Sequence, residues 1–299
     1  MRVHLLDGTF ELFRHYFAVP KSKDATGVEV GAVRGVLGSV LGMFEAGVTH
    51  LGVATDHVIE SFRNDLWPGY KTGAGIEAEL LAQFHPLEDA LRILGVSVFA
   101  MVEQEADDGL AAAAAIAARD GRVEQILICT PDKDLAQCVD GKRVVQFDRR
   151  KRLLRDENGV LERFGVKPSS IPDYLALTGD SADGFPGLQG WGPRSAATVL
   201  ARYDHIEDVP EHNRDWNLPV RGAGRLAKTL ADNRDLALLF KDLATLRTDA
   251  PLFDDPDELR WTGPSQEWPE LCRRLGAPAL VDRAAAAASI APAAPDEGY

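Results

Sequence analysis

The sequence predicts an α/β protein: a parallel sheet with helices on both faces, followed by a helical region. Short apolar runs at residues 3–6, 51–55, 96–101, 126–130 and 144–147 alternate with helical stretches in the first half. That alternation is the pattern of crossover connections between parallel strands. From Ile171 onward the strand-like runs give way to a helical pattern punctuated by Gly and Pro. The 299 residues, 45% of them hydrophobic, suffice for one large domain or two small ones around a sizeable core.

Taken in order, the first run ends at Asp7, and residues 31–44 form an apolar helix rich in small side chains. The second run ends at Asp56. The third precedes residues 106–118, whose alanines favour a helix. The fourth stops just before Asp132, and the fifth spans 144–147. Residues 284–299, rich in Ala and Pro, are expected to be a disordered tail. No internal repeat is evident.

Composition narrows the function classes. No apolar run reaches the roughly 18 residues of a membrane span, and Asp7 stands too early for a signal peptide, so a cytoplasmic protein is expected. Cys129, Cys138 and Cys272 have no C-x-x-C spacing, which argues against a disulfide frame or structural zinc; Cys129 reads as core. The net charge of −13 argues, by itself, against a nucleic-acid partner. Its distribution matters more, because clustered acids can be offset locally by bound cations.

Ligands of an open parallel sheet bind beyond the carboxyl ends of its strands. Asp7, Asp56 and the pair Asp132/Asp134 each follow an apolar run, and Glu105, Asp107 and Asp108 open the Ala-rich helix. Singly, each strand-end Asp reads equally as a turn residue or helix cap. The three first-turn acids equally complement a helix dipole. Recurrence at several strand ends is harder to explain that way. Seven carboxylates on one edge would repel without cations. Oxygen donors without His or Cys indicate Mg²⁺ or Mn²⁺ rather than zinc, and two such ions about 4 Å apart are a device for phosphodiester cleavage. Asp180 and Asp183 lie in a later Gly- and Pro-marked loop. It leads into Gly187-Leu188-Gln189-Gly190-Trp191-Gly192-Pro193-Arg194, a Gly-rich turn whose N–H groups could hold phosphate, with Pro193 suited to the first helical position. A plain helix–turn–helix corner fits that segment as well. His57, beside Asp56, reads as structural.

The ordered set Leu6-Asp7-Gly8, Asp56 with Ser61-Phe62-Arg63 and Tyr70-Lys71, Glu105-Ala106-Asp107-Asp108, Thr130-Pro131-Asp132-Lys133-Asp134, Thr178-Gly179-Asp180-Ser181-Ala182-Asp183 and Gly187 to Gly192 resembles the bacterial and phage 5′-nuclease family. That family comprises flap endonucleases and 5′-3′ exonucleases, including the N-terminal nuclease domain of DNA polymerase I. The likeness runs from about residue 1 to about 280. It implies a PIN-like nuclease core over 1–170 with an arch at about 63–92, and a helical region over 171–283 containing a helix–turn–helix (H3TH) DNA-binding element. It further implies that Asp7, Asp56, Glu105, Asp107, Asp108, Asp132, Asp134, Asp180 and Asp183 hold two or more Mg²⁺ or Mn²⁺ ions. Lys71, Arg63 and Arg14 would meet the scissile phosphate or its neighbours, and Tyr70 would stack on a terminal base. Gly187, Gly190, Gly192 and Arg194 would belong to the element that grips duplex backbone, with K⁺ bound there. The implied substrate is DNA with 5′ ends or 5′ flaps, hydrolysed in replication or repair by a stand-alone enzyme with no obligate protein partner.

The sequence departs from the family pattern in places. Thr72-Gly73-Ala74-Gly75 follows Lys71, and no Lys or Arg occurs between Lys71 and Arg92, whereas Glu77, Glu79, Glu88 and Asp89 do. Each Gly weakens a helix by about 1 kcal/mol relative to Ala, so the arch is expected to be flexible, less basic, or ordered only with substrate. Gln189 stands where a basic residue is common, and Gly184 where Asn is common. Arg149-Arg150-Lys151-Arg152 with Arg155 reads either as a compensating basic stretch or as a solvated hairpin tip. Asp7-Gly8-Thr9 also fits part of an aspartyl-phosphatase signature, but Leu5 stands where that chemistry needs its nucleophile. A PIN-like RNA-directed nuclease and a structure-specific DNA binder with weak catalysis are the remaining alternatives; a binder would be expected to lack some of the acids, and none is missing.

Overall fold

A computed structural model describes residues 1–290. The chain forms two compact units that do not follow a single cut near 170. The first comprises Met1–Ile59, Ala74–Cys129 and the chain from Thr248; the second comprises Glu60–Gly73 and Thr130–Arg247.

In the first unit, strands β1 (Arg2–Asp7), β2 (His50–Asp56), β3 (Ser97–Met101) and β4 (Gln125–Cys129) run parallel in the order β3-β2-β1-β4. The register pairs Leu6 with Val53 and with Cys129, and Thr55 with Ala100. Apolar side chains of β1 and β2 are buried on both faces, as a parallel sheet requires. The connections β1 to β2 (helices Gly8–Ala18 and Gly31–Glu45) and β2 to β3 (helix Phe84–Ile93) step the same way across the sheet. The connection β3 to β4 (helix Ala106–Arg119) steps back the other way. Right-handed crossovers therefore place the first three helices on one face and the fourth on the other. The run Ala111–Ala114 is buried, and its small side chains let helix Ala106–Arg119 lie close on the strands. Gly8 is required where β1 turns into its helix: a Cβ there would stand 2.9 Å from the Ala54 carbonyl oxygen and 2.7 Å from the Thr55 methyl carbon.

Two expectations need correction in this unit. The arch does not extend to 92, because helix Phe84–Ile93 buries Phe84, Leu87, Glu88, Ala90 and Leu91 in the core. Its amphipathic spacing competes successfully with the acidic composition around it. The tail does not begin at 284 either. Helix Ala279–Ile290 runs through that point, with Ala284 and Ala287 buried. Arg283 ties this helix to Gly31–Glu45 by donating to the Glu45 carboxylate at 2.7 Å and to the Gly38 carbonyl at 3.1 Å. The rest of the expected tail, 291–299, lies outside the described residues. No helix among the described residues is long and apolar enough to cross a membrane.

In the second unit, β5 (Val144–Asp148) pairs antiparallel with β6 (Leu153–Arg155), a hairpin that agrees with the second of the two readings of residues 149–155. The four-residue connection is too short for a crossover, and Arg152 at φ 52° closes the turn. Arg150, Lys151 and Arg152 are exposed at its tip. Helices Ile171–Thr178, Pro193–Tyr203, Ala223–Asp232 and Arg234–Ala244 follow, as the helical pattern from Ile171 predicts, and helices Arg63–Leu66 and Glu157–Phe164 precede them. Phe185, Trp216 and Phe240 are buried among them. Asp173 is fully buried beneath and accepts from His205 Nδ1 at 2.9 Å and the Ile206 amide at 2.8 Å, with Lys241 Nζ 2.9 Å away.

Candidate metal centre

The first unit carries five of the nine expected acids at the carboxyl ends of its strands. Asp7 ends β1 and caps the following helix, its Oδ1 accepting from the Phe10 amide at 2.8 Å. Asp56 ends β2; its Oδ1 accepts from the Ala106 amide at 2.8 Å, and its own amide donates to Thr9 Oγ1 at 2.9 Å. Glu105 and Asp108 form a reciprocal capping box at the start of helix Ala106–Arg119, and both are buried. Asp107, between them, is half-buried. A cap satisfies one carboxylate oxygen, so capping and metal binding do not exclude each other. The first strand connection leaves β1 towards β2 whereas β4 lies on its other side, which makes the carboxyl end of β1 a topological switch point.

The second unit gathers Asp134, Asp180 and Asp183, each offering an oxygen within 4.8 Å of the others. Asp132 is exposed two residues before Asp134 and accepts from the Asp134 amide at 3.0 Å. Burial pushes the Asp134 carboxyl well above the usual carboxylate range, and the charges of Asp132, Asp183 and Asp180 push the same way. Its buried Oδ1 finds no hydrogen-bond donor among the described residues. A buried carboxylate oxygen among three other acids is unstable as a bare anion and suited to a hard cation. The donor set fits Mg²⁺ or Mn²⁺.

Two lysines partly offset this charge. Lys133 hydrogen-bonds Asp180 and stands 3.9 Å from Asp134 Oδ1. Burial opposes its charge, but the attraction of Asp134, Asp180 and Asp132 outweighs it and raises the ammonium above its ordinary value. Lys71 Nζ lies 3.1 Å from Asp183 Oδ1. The sequence reading quoted Lys133 only as part of a motif; its place between two acids in D-K-D was the available signal. A resident cation competes with a metal for the same carboxylates. Lys133→Met is therefore expected to tighten Mn²⁺ binding several-fold and to lower the melting temperature of the metal-free protein, both readable by calorimetry.

Other expected contacts fare differently. Arg63 is 1% exposed, and its Nε and an NH2 group donate to the carbonyls of Leu243 at 2.8 Å and Thr245 at 3.2 Å. A guanidinium that is enclosed and donates to main-chain carbonyls helps hold its unit together, and it is not exposed where the expected phosphate would meet it. Tyr70 is 4% exposed within the core of the second unit, so its ring faces are covered and the expected base stacking does not carry over either. Arg14 is part-exposed and hydrogen-bonded to Glu11 and, at 2.8 Å, to His15 Nε2.

The Gly-rich segment opens helix Pro193–Tyr203 with Pro193 at its first position, and Ser195 Oγ accepts from the Gly192 amide at 3.0 Å. Gly190, Gly192, Pro193, Arg194 and Ser195 line an open recess of about 730 Å³ together with Thr198, Pro219, Val220 and Arg221. Arg221 was missed because nothing in the sequence brings it beside Arg194. Gly187, at φ 69°, lies against Gly179: a Cβ would stand 2.3 Å from the Gly179 nitrogen. Gly187 thus serves the packing of the turn.

Residues 2–165 match the family model of the 5′-3′ exonuclease N-terminal resolvase-like domain, and residues 166–267 that of the 5′-3′ exonuclease C-terminal SAM fold. The chain belongs to the 5′-3′ exonuclease family. Among curated relatives of this 5′-3′ exonuclease-family chain, DNA polymerase I of Pseudomonas aeruginosa is 35% identical over 274 residues, 88% of this chain and 29% of that protein. The 5′-3′ exonuclease of Buchnera aphidicola is 28% identical over 254 residues, 84% of this chain and 88% of that protein. The chain thus spans under a third of the polymerases it matches and most of the separate exonuclease. Among solved structures, the bacteriophage T5 D15 protein co-crystallised with metal ions aligns with a TM-score of 0.63 at 19% identity, covering 98% of this chain and 100% of that one. The catalytic core of Rad2 in complex with DNA substrate aligns with a TM-score of 0.59 at 16% identity, covering 92% and 88%. These likenesses establish the fold, an α/β core with a parallel-dominated sheet and a C-terminal helical domain.

Proposed function

We propose that this 5′-3′ exonuclease-family chain is a structure-specific 5′-nuclease that cuts DNA at 5′ ends and 5′ flaps with two or more Mg²⁺ or Mn²⁺ ions. The observation that carries the reading is the buried, undonated Oδ1 of Asp134 beside Asp180 and Asp183, in a chain that keeps all nine acids. Asp7, Asp56, Glu105, Asp107, Asp108, Asp132, Asp134, Asp180 and Asp183 are the proposed ligands. Bound divalent ions lower the pKa of an attacking water and stabilise charge developing on the phosphate. The chain's own part is to hold carboxylates at fixed places and supply positive charge. Lys71, freed from Asp183 when metal takes that carboxylate, is proposed to meet the scissile phosphate, and Arg14 to contact a neighbouring one.

The recess around Gly190, Gly192 and Arg194 is proposed to take duplex backbone, with K⁺ bound among its main-chain carbonyls. First-turn N–H groups and two guanidiniums suit phosphate. Arg194→Ala with Arg221→Ala is expected to weaken DNA binding about tenfold and to lower the slope of log affinity against log salt by about 2, since each phosphate contact contributes about 0.9. Unchanged slope by fluorescence anisotropy at several salt concentrations would remove this surface from the interface.

The test of function is incubation of a labelled 5′-flap duplex with the protein in Mg²⁺, Mn²⁺ or chelator, with labelled single-stranded RNA in parallel. Metal-dependent cuts near the flap junction are expected. Binding of the flap without any cleavage would refute catalysis and leave a structure-specific binder; cleavage confined to RNA would favour the PIN-like RNA-directed reading.

A further inference from the structure

Glu88 is a carboxylate that the proposed chemistry does not use, yet it is 1% exposed on helix Phe84–Ile93. Both of its oxygens are engaged: Oε1 accepts from Thr55 Oγ1 at 2.8 Å, and Oε2 lies 2.8 Å from His57 Nδ1. Its two partners are the residues on either side of Asp56. In β2, which ends at Asp56, Thr55 and Asp56 point to opposite faces of the sheet; His57 follows the strand's end and meets Glu88 together with Thr55. The helix that carries Glu88 lies on the Thr55 face. On the other, Asp56 Oδ1 meets the Ala106 amide at 2.8 Å. The same helix supplies a further hold: His85 stacks on His57 with ring centroids 4.2 Å apart, and its Nε2 lies 3.1 Å from the His57 carbonyl oxygen. The His57 amide is fixed to the Met101 carbonyl at 2.9 Å.

We infer that Glu88 is a positioning residue for metal binding: it grips Thr55 and His57 from behind the sheet and so fixes the backbone and side-chain direction of Asp56. This rests on the reading of Asp56 as a metal ligand. A buried acid bonded only for stability needs no partners flanking a ligand position. Glu88 has two, one on each side, and Arg92, 3.8 Å from Oε2, offsets its charge at the surface end. A ligand whose rotamer and backbone are set beforehand binds metal without first being ordered, and loss of such outer supports typically weakens metal affinity by 10–100-fold.

The test is Mn²⁺ titration of the full chain by calorimetry, with melting temperature and cleavage rate recorded for each variant. Glu88→Ala is expected to weaken Mn²⁺ binding by at least tenfold and to lower kcat at limiting Mn²⁺, with recovery at saturating Mn²⁺. Glu88→Gln can still accept from Thr55 and donate to His57 Nδ1, so it is expected to fall between Glu88→Ala and wild type. Leu91→Ala, on the same helix and also buried, is the control. It is expected to lower the melting temperature comparably while leaving Mn²⁺ affinity within twofold. If Glu88→Ala does not fold, Thr55→Val breaks one arm at constant shape and is expected to weaken binding several-fold. Wild-type affinity in folded Glu88→Ala, or in Thr55→Val, overturns the inference, as does a Leu91→Ala affinity loss equal to that of Glu88→Ala. Unchanged affinity in Asp56→Ala overturns it by removing Asp56 from the ligands. A wild-type protein that binds no Mn²⁺ overturns the proposed function as well.

Discussion

Asp134→Asn is expected to raise the melting temperature of the metal-free protein while lowering its metal-dependent cleavage by orders of magnitude. Asp134 is buried, and burial together with Asp132, Asp183 and Asp180 raises its folded-state pKa well above the usual range; the attraction of Lys133 does not cancel this. A carboxyl with a folded pKa above its unfolded value of about 3.9 favours the folded state only when protonated. Its contribution is therefore fully present below about pH 4 and lost as pH rises through the raised folded value. At neutral pH the metal-free fold must either keep a proton that the unfolded chain has already lost or hold a buried charge, and either costs stability. Asn keeps the shape and discards the charge, so the variant should be more stable there by about 1–3 kcal/mol, the usual cost of a buried polar group left unsatisfied. At about 2–4 °C per kcal/mol for a chain of this order of size, the shift is measurable by calorimetry. The difference should vanish near pH 4, where wild type is protonated as well. Mn²⁺ at a hundredfold excess over its dissociation constant should stabilise wild type by about 2.7 kcal/mol, and the variant by much less. Cleavage should fall by about 10³-fold, since a lost ligand forfeits several kcal/mol of charge stabilisation at 1.36 kcal/mol per decade. A variant less stable than wild type at pH 7 without metal would show that the charge is neutralised by the protein itself, and would withdraw the strongest argument for a cation there.

The acids were legible because their positions follow from local rules. An apolar run that ends in Asp puts that Asp at a strand terminus, and a parallel sheet puts its strand termini on one edge, so Asp7 and Asp56 could be placed without knowing any tertiary contact. The Ala-rich helix and the helical second half were equally local. The misreadings share one cause: the deciding contact lies far away in sequence. Arg63 reads as a phosphate ligand, but it is buried and donates to the carbonyls of Leu243 and Thr245, about 180 residues on. Tyr70 looks like an exposed platform until the core of the second unit closes over it. Glu88 looks like one more acid in a solvated arch, and only its bonds to Thr55 and His57 show why it is buried. Arg221 has no local sign at all.

At Gly184, family pattern and local geometry predict opposite outcomes. The family resemblance implies Asn at this position, so Gly184→Asn would be expected to restore a lost feature. The packing forbids it. Gly184 has φ 84°, and a Cβ there would lie 2.0 Å from the Gly69 carbonyl oxygen. The obstacle is main chain, which cannot rotate away. It is held in place: Trp67 Nε1 donates to the Gly184 carbonyl at 3.1 Å, and the Lys71 amide donates to the Asp183 carbonyl at 3.0 Å. Asn tolerates positive φ better than most residues, so the cost is steric. Gly27 has nearly the same φ, 87°, with nothing near its missing Cβ. Gly27→Asn therefore reports the dihedral cost alone, under about 1 kcal/mol. Gly184→Asn must also displace segment 67–71 or the loop Asp180–Phe185, at about 3 kcal/mol by the usual cost of overpacking, or roughly 6–12 °C in melting temperature. Since Lys71 and Asp183 sit on the two sides of that contact, Mn²⁺ affinity should fall together with stability. If the two variants melt alike, the approach of Gly69 to Gly184 is not a constraint, and the departure from family pattern at this position has no packing cause.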